Sequence, residues 1–484
     1  MGVRRNFSLN LIFLLALNLL IKPFYLFGVE VGVQNAVGAE AYGLYYAMFN
    51  FTFIFNVILD LGINNFQKIR MAQDAEAGTD NMKTLLPMKF GLSAVYMAVT
   101  VIVALIVGFE ARYWFHIGWL MLNHILSMFL LMFRANISGL HLFMRDSVLS
   151  VLDRTLMIAA IGYLLWFSDS AFQIEHFVFA QTGAYAIAII VAIVLTPSVN
   201  RVFNFKVDWS SFRDMVSQTW PFALLILIMT AYSKIDGVMI ERLADNGLLE
   251  AGIYAQAYRL LDAGNNFAFL YAGLLLPMFA RLIHLGQTAE LTSLLDQAAR
   301  LLIAPAGVIC LIVYGNSDYL MGLLYDEYPI RSAASLDWLM ISFVFISISY
   351  VFSTLMTAAE KLKWLNILGA ITVGINVGLN FWLIPEMGSE GAALASCISL
   401  GFMALSQMLY VMYSFRLQTY QWMIRTIGIW LITAALIWGI TSVRLEPLYG
   451  IIIVAVVSVI GFFAFVSQFS LFMDMIKGKE DDET

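Results

Sequence analysis

Charge is what this chain most lacks: of its 484 residues only 12% are Asp, Glu, Lys or Arg, about half the share of a soluble globular chain. With so little polar surface and 61% hydrophobic residues, no water-soluble domain can be built. Cysteine is scarcer still. Cys310 and Cys397 both sit in apolar runs, which argues against a disulfide framework or a thiolate metal cluster. His116, His124, His141, His176 and His284 are scattered without an HxxxH or HExxH spacing, so no metal-hydrolase constellation is visible and no cofactor is expected. Long polar connections are missing as well. The largest one expected on the outer side, roughly 316–334, holds Asp318, Asp326, Glu327 and Arg331 but no nucleophile, base and orienter set, which disfavours an enzyme. The net charge of −6 includes the acidic tail Glu480, Asp481, Asp482 and Glu483; it points to no nucleic-acid partner.

What the chain does have is hydrophobic runs long enough to cross a bilayer, recurring from end to end. The expected spans lie near 8–30, 41–63, 86–108, 114–135, 148–167, 174–196, 220–240, 251–280, 299–315, 335–358, 364–385, 390–414, 423–443 and 448–472. The chain is therefore read as an all-α polytopic membrane protein of about fourteen spans. The first run continues through Lys22 and Pro23 without an A-x-A cleavage pattern and is expected to be a retained helix. Lys and Arg concentrate on one side, from Arg4 and Arg5 to Lys477 and Lys479, whereas the outer segments hold Arg112, Arg242, Arg331 and Arg444. That asymmetry predicts an inner (cytoplasmic) membrane protein with both termini in the cytoplasm. The span at 251–280 is too long for a straight crossing, and Pro277 is expected to bend it. Two inner connections carry an apolar face, one with Trp209, Phe212, Met215 and Val216, the other with Leu291, Leu294, Leu295 and Ala298. Both are expected to be linker helices lying on the lipid.

The chain also repeats itself. Gly43, Leu44, Tyr45, Tyr46 and Ala47 resemble Gly252, Ile253, Tyr254, Ala255, Gln256 and Ala257, and Glu-Ala pairs precede both, Glu40-Ala41 and Glu250-Ala251. The two passages fall at equivalent topological positions, six spans apart. Internal duplication of this kind is found in transporters with a site between the halves.

The stretch from Val37 to Tyr45, with Leu59-Asp60-Leu61-Gly62-Ile63 after it, resembles the opening of the polysaccharide exporters of the multidrug/oligosaccharidyl-lipid/polysaccharide superfamily. A second passage, Asn376, Asn380, Leu383-Ile384-Pro385 and Gly388-Ser389-Glu390-Gly391-Ala392-Ala393, is similar to that family's Asn-rich helix, Pro turn and Gly-Ala-Ala helix start. Tyr232 to Asp236 followed by Gly252-Ile253-Tyr254 is a third. Fourteen spans suit the O-antigen-type flippase branch. The resemblance implies two six-helix lobes around a central cavity, at 1–205 and 206–417, with 418–484 adding two helices and the acidic tail. It also implies transport of a lipid-linked oligosaccharide by alternating access for cell-surface polysaccharide assembly. The implied partners are that oligosaccharide, membrane lipids, and the machinery of polysaccharide polymerisation or ligation. A cation-coupled multidrug exporter of the same superfamily is the alternative, and a membrane glycosyltransferase or polymerase a more distant one.

A polyprenyl-pyrophosphate cargo is anionic, and a charge placed in a span for any other purpose would cost at least ~2.5 kcal/mol. Intramembrane cations are therefore the informative residues: Lys22, Lys234 and Arg259, each roughly 18–21 Å from the cytoplasmic edge of the core at 1.5 Å per residue. They are the expected substrate-binding residues. Lys22 and Lys234 fall in equivalent spans, and the resemblance implies roles for basic residues in the first and eighth spans, hence for Lys22 and Arg259. Against this, Arg259 and Asp262 share a helix face and could neutralise one another, and Lys234 could snorkel. The acids Asp60, Asp236 and Asp262 are candidates for a coupling Na+ or proton, since a carboxylate in a dry bundle holds its proton more tightly; the competing expectation is a partner for a nearby base. Pro23 is the expected hinge, because proline removes a backbone hydrogen bond within the first span.

Overall fold

The computed structural model describes residues 20–64, 75–140, 142–168, 171–196, 209–415 and 421–442. Among them every element is helical. A π-helical turn, Tyr25–Glu30, leads into α1 (Val31–Ile54) and a 3-10 turn, Phe55–Leu59. There follow α2 (Ala75–Val107), α3 (Ala111–Gly139), α4 (Phe143–Trp166), α5 (Ile174–Leu195), α6 (Trp209–Leu243) and α7 (Gly247–His284). The remainder is α8 (Thr288–Tyr314), the short α9 (Ser317–Leu324), α10 (Pro329–Ala358), α11 (Leu362–Met387), α12 (Ser389–Ser414) and α13 (Gln421–Ser442). Eleven helical stretches are long and apolar enough to cross a membrane, and α13 contributes the shorter apolar run Thr426–Gly439. The expected span at 448–472, the beginning of the first span, the acidic tail and the proposed lobe boundary at 205/206 lie outside the described residues.

The structure corrects the expected connection between the first two spans. Helix continues over 31–37 and resumes at Ala39, so within Leu20–Leu59 the expected connection shrinks to a kink at Gly38. Val31, Val33, Ala36 and Val37 keep an apolar share in the connection despite Gln34 and Asn35, and Gly38 kinks the backbone at φ 80 and ψ 166. A side chain resists that backbone geometry; glycine does not. The second correction concerns Leu291, Leu294, Leu295 and Ala298. They open α8 without a break and are buried in protein, so the apolar face is covered by packing and not by lipid. The corresponding side chains at 209–216 are not described, apart from the exposed Arg213.

The chain falls into two compact units. The first comprises Met1–Arg259, Leu324–Ser332 and Leu362–Ala395; the second comprises Leu260–Leu323, Ala333–Lys361 and Ser396–Thr484. Within the first, α6 packs on α1 and α11, α3 on α1 and α5, and α4 on α5. Within the second, α13 packs along α8, where the Trp430 indole donates to the Ala304 carbonyl at 3.0 Å and its ring covers Gly307. Small residues let backbones approach where dispersion, not hydrophobic exclusion, drives helix association in lipid.

Candidate functional site

Charge in the first unit gathers where the π-helical turn meets α3, α4 and α7. A π turn widens the helix locally and re-aims the side chains beyond it; here it begins two residues after Pro23 and ends on Glu30, which is 7% exposed. Glu30 pairs with Arg259 of α7, Oε2 to Nε 2.9 Å. Arg259 also donates to the Tyr42 hydroxyl of α1 at 2.6 Å. On the other side of Glu30, the Arg154 guanidinium lies over the Tyr25 ring, 4.6 Å from its centroid, and interacts electrostatically with Glu30 and Asp153. Lys22 is exposed and lies within electrostatic reach of Arg154, Arg134 and Asp153. Arg134 is held by Asp146, Nε to Oδ1 2.8 Å. The cluster thus sets four cations, Lys22, Arg134, Arg154 and Arg259, against three acids, Glu30, Asp146 and Asp153.

The Lys234 ammonium lies 5.1 Å from the ring centroid of Tyr258, the residue before Arg259, and 5.9 Å from that of Phe53. Aromatic faces attract a cation through their quadrupole. Arg154 and Arg134 lie within electrostatic reach of Lys22, and Glu30 and Tyr42 hold Arg259. Glu30 had no assigned role, because the first span was drawn to end there. An acid eight residues beyond an intramembrane lysine was the available signal.

The three candidate coupling acids have different surroundings. Asp60 follows the 3-10 turn; its Oδ1 accepts from Lys89 Nζ at 2.7 Å and from the Asn64 backbone N–H at 3.2 Å. Lys89, 2% exposed, also donates to the Leu59 carbonyl at 2.8 Å. Asp262 belongs to the second unit and lies within electrostatic reach of Tyr350. Asp236 of α6 is 2% exposed. Tyr254 donates to its Oδ2 at 2.9 Å and Asn380 to its Oδ1 at 2.7 Å, and Asn380 donates in turn to the Asn376 amide oxygen at 3.1 Å. Asn376 and Asn380 lie one turn apart on α11 and so face the same way. Beside Asp236, Gly237 lets α1 approach: a Cβ there would collide with the Asn50 amide and the Tyr46 ring.

A family model described as polysaccharide biosynthesis protein matches residues 9–283, more than half of the chain. The chain belongs to the polysaccharide biosynthesis protein family. No curated protein matches it. Among solved structures it resembles the lipid II flippase MurJ in an inward closed conformation, at 13% identity and TM-score 0.72 over 96% of this chain and 100% of that one. It also resembles an inward-facing multidrug resistance MATE family transporter of the MOP superfamily, at 13% identity and TM-score 0.67 over 81% of this chain and 94% of that one. A third is a MOP superfamily transporter from Pyrococcus furiosus, at 14% identity and TM-score 0.59 over 84% and 94%. At such identity the likeness is one of fold. Family and fold together support a multi-pass membrane transporter. In this family member the charged cluster and the Asp236 network both belong to the first compact unit.

Proposed function

We propose that the chain is a flippase of the cytoplasmic membrane that carries a polyprenyl-pyrophosphate-linked oligosaccharide from the inner to the outer leaflet by alternating access. The observation that carries this reading is the cation-rich cluster at Lys22, Arg134, Arg154 and Arg259. A pyrophosphate leaving water needs replacement hydrogen-bond donors, and guanidinium groups supply them in pairs matched to phosphate oxygens. Lys22, the exposed member, meets the head group first. Arg259 takes it next, with Glu30 as the counter-ion that the cargo displaces. Family membership supports a role in polysaccharide assembly, and the fold shared with a lipid II flippase supports a lipid-linked cargo. Both termini are placed in the cytoplasm by the distribution of basic residues, and the flipped product passes to polymerisation or ligation machinery outside. Asp236, 2% exposed and bonded to Tyr254 and Asn380, is the acid assigned to a coupling Na+ or proton, an intramembrane carboxylate being a functional candidate by default.

The test is flipping in proteoliposomes with a fluorescent polyprenyl-pyrophosphate oligosaccharide. Lys22→Ala and Arg154→Ala proteins that elute as the parent does are expected to flip at least about tenfold more slowly, the loss of one charge-assisted contact. Full-rate flipping by both removes the cation cluster from the mechanism. Transport of organic cations in place of the lipid would favour the multidrug exporter.

A further inference from the structure

The nine residues Leu324–Ser332 belong to the first compact unit, although α9 before them and most of α10 after them belong to the second. Within the first unit this segment is stitched down along its length. The Asn35 side chain donates to the Leu324 carbonyl at 2.9 Å and accepts from the Asp326 backbone N–H at 3.4 Å. Tyr325, 2% exposed, donates to the Gln256 carbonyl at 3.3 Å, and the Gln256 amide donates to the Glu327 carbonyl at 3.3 Å. Arg331 pairs with Glu250, whose other oxygen accepts from the Ser389 N–H that opens α12, at 3.0 Å. At the centre, Glu327 Oε2 accepts from the Ala39 N–H at 2.8 Å.

That last contact is unusual for a helix start. The positive φ of Gly38 breaks α1, so Ala39 begins a new run of helix whose first N–H groups have no partner of their own. Such a cap is ordinarily supplied by the residue just before the helix. Gly38 has no side chain to offer, and a Cβ there would sit 3.2 Å from the Glu327 carboxylate. The cap comes instead from 288 residues away. The turn that delivers it is strained: Tyr328 adopts φ 53, a left-handed conformation that a bulky residue avoids unless its surroundings hold it there.

We infer that Leu324–Ser332 is a releasable strap that holds the Asn35–Ala39 and Gln256 region closed on the outer side, with the Glu327 carboxylate as its release point. The inference rests on the alternating-access reading and on the orientation proposed with it. Apart from the buried Tyr325 ring, the strap is held by hydrogen bonds and an ion pair, which water can replace when the outer path opens. Relief of the Tyr328 turn offsets part of what release costs. The segment is covalently continuous with α9 and α10, so movement of either pulls on Glu327 directly.

The experiment follows a cysteine at Ala39, a position 2% exposed beneath the strap. Intact cells carrying the full-length Ala39→Cys protein are treated with a membrane-impermeant maleimide, with the protein lacking this cysteine as the background for Cys310 and Cys397. Adding Glu327→Ala is expected to raise the labelling rate about tenfold or more, the effect of removing a charge-assisted hydrogen bond. Glu327→Gln, which keeps the shape, is expected to give a smaller rise, and Glu40→Ala, which removes an exposed acid next to Ala39, none. A second arm joins Asn35→Cys to Asp326→Cys on the native Glu327 background. Flipping should stop on oxidation and return on reduction. Unchanged labelling in folded Glu327→Ala protein, or full-rate flipping by the crosslinked protein, overturns the strap; should Glu327→Ala not fold, Glu327→Gln and the crosslink decide. Faster labelling without any flipping of the lipid-linked sugar supports the strap and sinks the cargo assignment instead.

Discussion

Gly43 and Gly252 each lie against the other helix's backbone: a Cβ on Gly43 would fall on the Leu248 carbonyl, and one on Gly252 would fall on the Ala39 carbonyl. The pairing is reciprocal at a constant offset in sequence, as a local two-fold relationship between two copies of one motif requires. The repeat read from Gly43-Leu44-Tyr45 and Gly252-Ile253-Tyr254 is thus a contact as well as a resemblance. Backbone cannot move aside as a flexible side chain can. Gly43→Ala and Gly252→Ala should each destabilise the protein by about 1–3 kcal/mol, the usual cost of overpacking. Thermal unfolding in detergent should show similar falls in Tm for the two variants. An unchanged Tm in either would mean that the helices separate freely there.

The Glu30–Arg259 pair predicts strong non-additivity. Removing one partner of a buried ion pair leaves the other charge under-compensated and costs up to about 3–5 kcal/mol, less here because Glu30 also faces Arg154 and Arg259 also holds Tyr42. Glu30→Gln and Arg259→Gln should therefore each destabilise the protein more than the double variant does, a pattern a double-mutant cycle by thermal or denaturant unfolding reads directly. Flipping separates the two residues further. The double variant, although stable, should not flip, because it lacks the cation that receives the cargo.

Much of this architecture is legible in hydropathy, because a bilayer allows few solutions to a run of twenty apolar residues. Among the described residues each expected span after the first two falls within a helix or nearly so, although α2, α6 and α8 begin about eleven residues earlier, and the long span at 251–280 is α7, Gly247–His284, with Pro277 inside it. Hydropathy fails where polar residues are tolerated within protein. Glu30 and Asn35 look like a loop, yet they belong to helical backbone, and their side chains find partners in Arg259 and the strap. It fails again for Arg154. Near a span's end, the side chain could have snorkelled to the interface, and only the position of the Tyr25 ring shows where it goes. No linear pattern could connect Glu327 to Ala39.

Asp60 and Lys89 should behave as an anchor for the end of the first helical stretch. Lys89 is 2% exposed and its partner 20%, so the two removals are unequal. Asp60→Ala leaves a buried ammonium with one carbonyl, whereas Lys89→Met leaves a carboxylate that water can reach. Asp60→Ala should be the more damaging by about 1 kcal/mol or more, as measured by unfolding in detergent. Equal losses would show that water already reaches Lys89.

Coupling should depend on Asp236 and not on Asp60. Asp236 is buried among neutral donors, Tyr254 and Asn380, and the Asn376 amide oxygen stands next in line. A carboxylate buried so deeply holds or releases a proton or Na+ according to the donors around it, whereas Asp60 is partly exposed and tied to Lys89. Asp236→Asn keeps the size and the hydrogen-bonding plane but removes the charge. In proteoliposomes, flipping by the parent should respond to an imposed Na+ or proton gradient. Flipping by Asp236→Asn should lose that response, and the Asp60→Asn/Lys89→Met double variant should keep it. Tyr254→Phe removes one donor and so weakens only the charged form of Asp236; it should shift the ion concentration giving half-maximal rate by about tenfold, the worth of one hydrogen bond to a charged group. A gradient response preserved in Asp236→Asn and lost in the Asp60 double variant would transfer the coupling role to the end of the first helical stretch.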